Sequence, residues 1–217
     1  MCKNSFLIII SLILFSNATK AQRWYTHAMA ANMLIIDSTQ NAEIAKNSGE
    51  VFKRIYKIKP NDWHALYYLV LCKAKANMLY KQKYTTKKTP KKQTLKILDD
   101  LQHKFDNEIT PYLIALDTLK NDSNEVMLLK AYVHLSSAKN KNDTAKINLC
   151  MRYLNLAKNN VTNNPRVEVM EFLLYTFLQN ANEQKLNGLK KTALLKFSNE
   201  TPHEKYYPAW GYYYVCN

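Results

Sequence analysis

The sequence predicts an all-α fold in which helical hairpins repeat along the chain. Three times a short polar turn leads into a helical stretch rich in leucine and aromatic residues, at Pro60–Trp63, Asn121–Glu125 and Asn163–Arg166. Glycine occurs only three times, whereas average usage of about 7% would give roughly fifteen, so few tight turns are possible. A single hairpin cannot bury its own apolar stripe, and neighbours must therefore stack. We expect a right-handed α-solenoid of about four hairpins.

The first 21 residues have the pattern of a signal peptide. Lys3 supplies a positive charge, residues 6–15 are apolar apart from Ser11, and Thr19–Ala21 offers small residues at the cleavage position. The apolar run is about half of the roughly 20 residues that a membrane span needs. We therefore expect cleavage after Ala21 and export, to the periplasm first and outside the cell as the alternative, with no membrane span in the mature chain.

Residues 22–217 are expected to form a single domain. A chain of this length buries roughly 70% of the surface that it exposes when unfolded, which is enough for a substantial core. Cleavage would remove Lys3 and Lys20 and no acidic residue, so the net charge falls from +14 to +12. The mature protein is therefore strongly basic.

Hydrophobic periodicity predicts about eight helices, of which three precede residue 81. The stripe of the first helix consists of Trp24, Ala28, Ala31 and Ile35. The stripe of the second consists of Ala45, Ser48, Gly49, Phe52, Ile55 and Tyr56. Residues 65–72 are apolar on every side, which favours a central third helix buried between its neighbours.

The middle of the chain predicts a linker followed by an interrupted helix. Residues 81–92 are dominated by lysine and threonine, and Pro90 suits the first turn of the next helix, which continues to about Lys120. Because Thr110 can cap a helix and Pro111 fits a first turn, we expect a break or kink between Asn107 and Thr110. The last four helices are predicted at residues 125–138, 144–159, 167–178 and 186–197.

Five short motifs occur in a characteristic order along the chain. They are Val51–Ile55, Asp62–Trp63 with Tyr67–Tyr68, Asn124–Glu125, Asn164–Arg166 and Pro208–Gly211. In this order they resemble a secreted, tetratricopeptide-like family common in Bacteroidetes. The resemblance covers nearly all of the mature chain and implies an exported helical-repeat protein with no established activity. Two features depart from the family: Asn180–Glu183 replaces a glycine-rich turn, and residues 81–111 are longer than usual.

The sequence offers little support for catalysis. The scarcity of glycine excludes phosphate-binding loops, dinucleotide fingerprints and the nucleophile elbow, all of which need glycine backbone. The histidines never occur at i and i+4, the spacing that most readily builds a zinc site on a helix, and they are His27, His64, His103, His134 and His203. We therefore expect no catalytic residue, no cofactor and no metal site. An enzyme with a site assembled from scattered residues remains the third and least favoured class.

Three cysteines remain after cleavage: Cys72, Cys150 and Cys216. An odd number in an oxidising compartment leaves at least one thiol unpaired. Cys72 and Cys150 both lie within apolar helical stripes, where cysteine behaves as a small hydrophobic residue. Buried thiols are the favoured interpretation, and a Cys72–Cys150 disulfide is the alternative.

The favoured function is non-catalytic binding of a protein or peptide partner in the cell envelope. Helical repeats bind partners through side chains exposed along one concave face. The candidate partner-binding residues are Trp63, Tyr67, Tyr68, Arg166 and Trp210. The alternative for these five is that they belong to the core.

The competing function is electrostatic binding of an anionic envelope polymer or a lipid surface. No acidic residue lies between Trp63 and Leu98, and the lysines of segment 73–96 create a positive field that extends about 8 to 10 Å at ordinary salt. The candidate anion-binding residues are Lys87, Lys88, Lys91 and Lys92. Nucleic acid is a weaker candidate because export disfavours it and the chain has only four arginines. The simpler interpretation of the lysine-rich segment is a solvated loop that binds no ligand.

The end of the chain is rich in aromatic residues, namely Tyr206, Tyr207, Trp210, Tyr212, Tyr213 and Tyr214. Pro208 and Gly211 favour a turn over a continued helix. We expect residues 199–217 to cap the apolar face that the last hairpin of a stack leaves exposed. A stacking surface for sugar or peptide is the alternative.

Overall fold

A computed structural model describes residues 22–85, 91–120, 123–160, 163–201 and 206–216. These residues form nine helices and no strand. The helices are α1 (22–38), α2 (Ala42–Ile58), α3 (Trp63–Thr85), α4 (Lys91–Leu119), α5 (Asn124–Ser137), α6 (Thr144–Asn160), α7 (Pro165–Leu178), α8 (Glu183–Ser198) and α9 (Tyr212–Cys216). The predicted all-α class is confirmed. The predicted signal peptide lies outside the described residues.

The helices are arranged in two layers, as expected for stacked hairpins. In one layer α3 contacts α5, and α5 contacts α7. The even-numbered helices pack on this layer: α2 on α3, α4 on α3 and α5, α6 on α5 and α7, and α8 on α7. Helix α9 contacts α7 and α8 as α5 contacts α3 and α4, so it occupies the place of a further odd-numbered helix. The packing fits a helical repeat, while its right-handed sense stays a prediction.

Helix α3 is the centre of the core, as its uniformly apolar sequence predicts. Residues 65–72 are all buried, and Tyr68 stacks on Phe52 of α2 with ring centroids 5.3 Å apart. A Cβ atom at Gly49 would lie 3.2 Å from Cys72 Cβ, so the small residue allows α2 and α3 to approach closely. The other predicted residues of the α2 stripe are also buried, except for the half-buried Tyr56.

Two helix predictions need correction, and the first concerns the face of α1. Trp24, Ala31 and Ile35 of the predicted stripe are exposed, whereas Met29 and Ile36 are buried. Apolar residues occur on nearly all sides of α1, so periodicity alone does not select the inward face. That face is fixed by long-range contacts that the helical pattern does not contain.

The second correction concerns residues 81–120. Helix α3 continues through the first part of the predicted linker to Thr85, and α4 runs without interruption past Pro111. A proline inside a helix removes one backbone hydrogen bond and is usually costly. Here the turns on either side of Pro111 are anchored in the core by Ile109 and Leu116, which are 2% and 0% exposed. Packing therefore outweighs the proline penalty, and the break expected at Asn107–Thr110 is absent.

The polar turns predicted between hairpins do begin helices. In the three predicted turns, Asp62, Ser123 and Asn164 accept hydrogen bonds from backbone N–H groups in the first turn of α3, α5 and α7 respectively. Asn41 and Asn182 cap α2 and α8 in the same way. Such caps satisfy donors that have no partner within the helix. The last four predicted helices accordingly start and end close to the expected residues.

Candidate functional site

The most elaborate polar arrangement lies where the end of the chain crosses the odd-numbered helices. We call residues 206–211 the C-terminal segment, and the surface of α1, α3, α5 and α7 that it contacts the odd-helix face. The segment is not helical, and it bonds to helices up to 180 positions earlier in sequence. Its anchors on α3, α7, α5 and α1 are described in turn.

Two tyrosines of α3 hold the middle of the segment. The hydroxyl of Tyr68 accepts a hydrogen bond from the Ala209 N–H at 3.0 Å and donates one to the Tyr207 carbonyl at 3.3 Å. The hydroxyl of Tyr67 accepts a bond of 2.6 Å from the Trp210 indole N–H. Burial raises the pKa of both phenols, so they remain neutral donors and acceptors at ordinary pH.

Arg166 of α7 is fully buried and pairs with a carboxylate that follows α8. Its two terminal nitrogens lie 2.5 and 3.1 Å from the two carboxylate oxygens of Glu200, and one of them also donates to the Pro208 carbonyl. Burial alone would lower the pKa of Arg166, but Glu125 and Glu200 raise it above its usual value, so the guanidinium stays charged. Its Nε atom has no hydrogen-bond partner among the described residues.

Glu125, at the start of α5, connects these anchors. One carboxylate oxygen accepts bonds from the Asn164 side chain at 2.5 Å and from the Tyr207 hydroxyl at 3.2 Å, and the other accepts from Tyr67 at 3.3 Å. The nearest guanidinium nitrogen of Arg166 is 3.5 Å away. Each polar atom of this carboxylate is therefore used to join α3, α5, α7 and the C-terminal segment.

The segment ends on α1. Gly211 donates its N–H to the Asp37 carboxylate at 2.6 Å. Burial raises the pKa of Asp37, while that hydrogen bond and the charge of Lys75 oppose the rise. Gly211 has φ of +105°, and a Cβ atom there would lie 3.2 Å from both γ-carbons of Val169. Only glycine meets both conditions without strain.

The structure brings the five predicted partner-binding residues together, since Trp63 packs edge-on against Tyr67, but four of them lie in the interior. Tyr67, Tyr68, Arg166 and Trp210 are 0%, 1%, 0% and 2% exposed, and Trp63 is half-buried. The expected exposure along a concave face is therefore not observed. The physical reason is that the C-terminal segment covers the odd-helix face and contributes Trp210 itself.

The predicted terminal cap is also more extensive than expected. Helix α9 packs on α7 and α8, as a cap should. The preceding residues, however, reach back to the first helix, where the Tyr206 hydroxyl lies 3.1 Å from Thr26 Oγ1. The end of the chain thus joins the first and last hairpins rather than covering the last one alone.

The lysine-rich segment is divided between structural and exposed residues. Lys75 donates to the Ile36 and Asp37 carbonyls at 2.7 and 2.8 Å, and Lys81 donates to three carbonyls at the end of α5, at 2.5 to 2.9 Å. Both ammonium groups thus neutralise the negative end of a helix. Lys73 forms an ion pair with Glu108. These three lysines serve the fold and add little to an external field.

The four predicted anion-binding residues are only partly described. Lys87 and Lys88 lie outside the described residues, Lys91 is the first residue of α4, and Lys92 is exposed. Lys96 is exposed as well, one helical turn further along. An exposed basic stretch therefore begins α4.

Two clefts lined by described residues lie beside α3. The larger, of about 280 Å³, lies between α2 and α4 and is lined by aromatic residues of α3 and α4 together with Lys46, Glu50, Lys73, Lys104 and Glu108. The smaller, of about 230 Å³, lies between α3, α5 and α7 and is mainly apolar. In the described part of the chain no group of three or more histidine, cysteine or acidic residues is placed to hold a metal ion.

The three cysteines in the described part of the chain are free thiols. Cys72 and Cys150 are buried, and Cys216 is exposed at the end of α9. Burial raises the pKa of Cys150 to about 12 and raises that of Cys72 further. Both are therefore inert at ordinary pH, in agreement with the favoured interpretation of the sequence.

Comparison with protein-family models, with curated proteins and with solved structures finds no match to this chain in any of the three. The resemblance to a tetratricopeptide-like family therefore stays a prediction. Among the described helices, none combines the length and apolar character needed to cross a bilayer.

Several residues of the site were not among the candidate binding residues predicted from the sequence. Asp37 and Glu200 look like ordinary helix-end or surface residues when each is considered alone, whereas Glu125 was noted only as part of a polar turn and Tyr207 only as part of the aromatic chain end. The one available signal was the position of Glu125 and Arg166 in matching polar turns at the start of α5 and α7. Matching turns of stacked hairpins lie near each other in space, and an acid and a base there can pair.

Proposed function

We propose that this chain is an exported, non-catalytic helical-repeat scaffold that binds a protein or peptide partner. One observation carries the proposal: the odd-helix face already holds a non-helical peptide, which is the C-terminal segment of the same chain. Four helices supply the anchors, at Thr26, Tyr68, Glu125 and Arg166. Helical repeats use one continuous face in this way to bind a partner.

The form of the contacts supports peptide recognition. Four of them engage the backbone of the C-terminal segment, at the carbonyls of residues 207 and 208 and the N–H groups of residues 209 and 211. Backbone bonds provide affinity for an extended chain, whereas pockets for side chains provide specificity. The pocket that receives Trp210 supplies the second element, because this side chain is 2% exposed.

A non-catalytic role is supported by the state of the polar groups at this site. Arg166 is paired with Glu200, and the oxygens of Glu125 are taken up by Tyr67, Tyr207 and Asn164. A general acid or base must reach a substrate atom through a hydrogen bond. The hydrogen bonds of these groups instead go to other residues of the same chain.

The test is site-specific photo-crosslinking in cells that export the protein. The test position is His27, which is exposed on α1 next to Thr26 and is replaced by a photoreactive residue. The control position is Leu156, which is 41% exposed on α6. We expect the mature chain in the periplasm or the medium, and a discrete protein adduct from position 27 that position 156 does not give. Identical adduct patterns from both positions, or retention of the chain in the cytoplasm, would reject the proposal.

The second candidate is electrostatic binding of an anionic polymer along α4, and the distribution of charge on that helix favours it. Asp99 and Asp106 pair with Lys139 and Lys146 on the side facing α5 and α6. Lys104 lines the larger cleft without a carboxylate partner among the described residues. Glu108 lines the same cleft, but its carboxylate is paired with Lys73 of α3, so Lys104 is the unpaired charge that the described part of α4 places there.

This candidate predicts strong dependence on salt. Binding to polyglutamate should weaken steeply between 50 and 300 mM salt and should decrease when the exposed lysines at 92, 96 and 104 are replaced by glutamine. The matched control replaces three exposed lysines elsewhere, at 57, 141 and 191. Equal losses in both triple variants would show a general effect of net charge and would remove α4 as a site.

A further inference from the structure

Building on the proposed peptide-binding function, we propose the chemistry of the partner: an extended peptide segment of the pattern aromatic–Pro–x–Trp–Gly, which binds the odd-helix face by displacing the C-terminal segment. The chain carries this pattern itself at residues 207–211. The segment is therefore a built-in competitor for the site.

The first part of the pattern follows from the contacts of Glu125, Tyr68 and Arg166. An aromatic residue fits the first position because the Tyr207 ring lies 5.4 Å from the Arg166 guanidinium and its hydroxyl donates to Glu125. Tyr68 bonds to a carbonyl and an N–H two residues apart, and Arg166 takes the carbonyl of the residue between them. Pro208 occupies that middle position. A proline there is favourable because it has no N–H group to satisfy and has a fixed φ angle. The following residue, Ala209, is exposed, so this position accepts any side chain.

The second part of the pattern follows from Trp210 and Gly211. The indole packs against Tyr132 with ring centroids 5.3 Å apart, and its N–H group bonds to the Tyr67 hydroxyl. The next residue must be glycine because of its positive φ and its contact with Val169. Its N–H group reaches Asp37. Few unrelated segments satisfy a buried tryptophan and an obligatory glycine in succession.

The contacts do not require that the peptide belong to the same chain. All the contacts between the segment and the odd-helix face are non-covalent and are made by residues 206–211. A partner with the same pattern would therefore make the same hydrogen bonds. The built-in segment has the advantage of a high effective concentration, typically millimolar for a short connection. The apparent affinity for a partner is then the intrinsic affinity reduced by the fraction of molecules in which the face is open.

The built-in segment also leaves one group of the site unsatisfied. Arg166 is fully buried, and its Nε–H has no acceptor among the described residues even though the segment is bound. An unmade buried hydrogen bond costs roughly tenfold in affinity. A partner segment that places a carbonyl or carboxylate oxygen at this nitrogen would therefore bind more tightly than the segment it displaces.

The experiment uses the full-length mature chain and a fluorescein-labelled peptide that copies residues 205–215. Binding is measured by fluorescence anisotropy. In the chain, Trp210→Ala weakens the built-in segment and leaves the face itself unchanged, and Gly211→Ala does the same more mildly. We expect both variants to bind the peptide at least tenfold more tightly than the unchanged chain. A peptide with alanine in place of its tryptophan should not bind.

Two further variants separate the face from the segment. Adding Tyr68→Phe to Trp210→Ala removes the two hydrogen bonds that the Tyr68 hydroxyl makes to the peptide backbone. This should reverse most of the gain in peptide affinity. Tyr212→Ala, at a 46% exposed residue of α9 outside the segment, is the matched control and should leave peptide binding unchanged. Far-UV circular dichroism establishes that each variant retains its helix content.

The outcomes are decisive in both directions. Folded Trp210→Ala and Gly211→Ala chains that bind no better than the unchanged chain would overturn displacement, and so would loss of helix content in both, because the face would then not exist without its own segment. A stable dimer that exchanges segments and excludes the peptide would also overturn it, in favour of a second copy as the occupant. Partner adducts from position 27 without peptide binding would retain the proposed function and reject only this inference.

Discussion

Replacement of Arg166 by methionine should destabilise the fold severely, and the size of the effect follows from burial. Methionine retains much of the length of the side chain but removes a charge that is 0% exposed. The side chain of Glu125 is 5% exposed, so its carboxylate would remain buried without the guanidinium. Breaking a buried ion pair from one side costs about 3–5 kcal/mol. Single domains are stable by only about 5–15 kcal/mol, so this is a large fraction of the total.

The assay is urea denaturation followed by far-UV circular dichroism. We expect the free energy of unfolding to fall by about 4 kcal/mol for Arg166→Met and by about 1–2 kcal/mol for Glu200→Gln. The second loss is smaller because the side chain of Glu200 is 18% exposed and the amide oxygen of the new glutamine can still accept a hydrogen bond. Adding Glu125→Gln to Arg166→Met should recover about 2 kcal/mol, since the unpaired buried charge is then removed. A loss below about 1 kcal/mol for Arg166→Met would show that the cluster is hydrated or dispensable and would refute this reasoning.

Three further changes test other parts of the structure. Lys81→Met should cost about 1–3 kcal/mol in urea denaturation, because three carbonyls lose their donor, whereas Lys96→Met on the surface should cost less than about 0.5 kcal/mol. Gly211→Ala should cost about 1–3 kcal/mol through strain and contact, whereas Gly188→Ala, with open space around it on α8, should stabilise by about 0.5–1 kcal/mol. Burial lowers the pKa of His134 to about 4, so the unfolded chain binds a proton that the folded chain does not, and stability should fall by about 2–3 kcal/mol as the pH drops from about 6.5 to 4. In His134→Gln this fall should be smaller, and an unchanged pH profile would contradict it.

The sequence predicted best those elements whose signal is local. The buried face of α2 follows from a stripe that no competing pattern obscures, and the central position of α3 follows from its apolar run at residues 65–72. The starts of α5 and α7 follow from Ser123 and Asn164, which act within three residues. The helix break before Pro111 was wrong because a local penalty was weighed without the packing of its neighbours. The inward face of α1 was wrong because its apolar residues surround the helix.

The sequence predicted which residues form the candidate site, but not that most of them are buried. The sequence identified one group of aromatic and basic residues, many of them next to polar turns, and its members do lie together. They are Trp63, Tyr67, Tyr68, Arg166 and Trp210. Their burial depends on a chain end that bonds to residues about 140 positions away. Lys81 is comparable, since its acceptors lie 55 to 57 positions ahead on another helix. Contacts at such separations leave no periodic trace in the sequence.

The contacts of the C-terminal segment with α1 and α7 also affect how the protein unfolds. A stack of hairpins is nearly one-dimensional, so that its ends can unfold separately from its middle. In this chain residues 206–211 bond to α1 and α7 at once, which couples the first hairpin to the last. The unchanged protein should therefore unfold in one cooperative transition, with coincident curves from tryptophan fluorescence and far-UV circular dichroism.

Trp210→Ala removes the buried indole from this coupling but leaves each hairpin and its neighbours intact. The two probes should then separate, with the fluorescence of Trp24 and Trp63 near the start of the chain changing at lower urea than the helix signal. The slope of the helix transition with urea should decrease, because less surface is exposed in each step. Coincident curves with an unchanged slope would mean that the stack is cooperative without its closing segment, and the segment would then contribute stability alone.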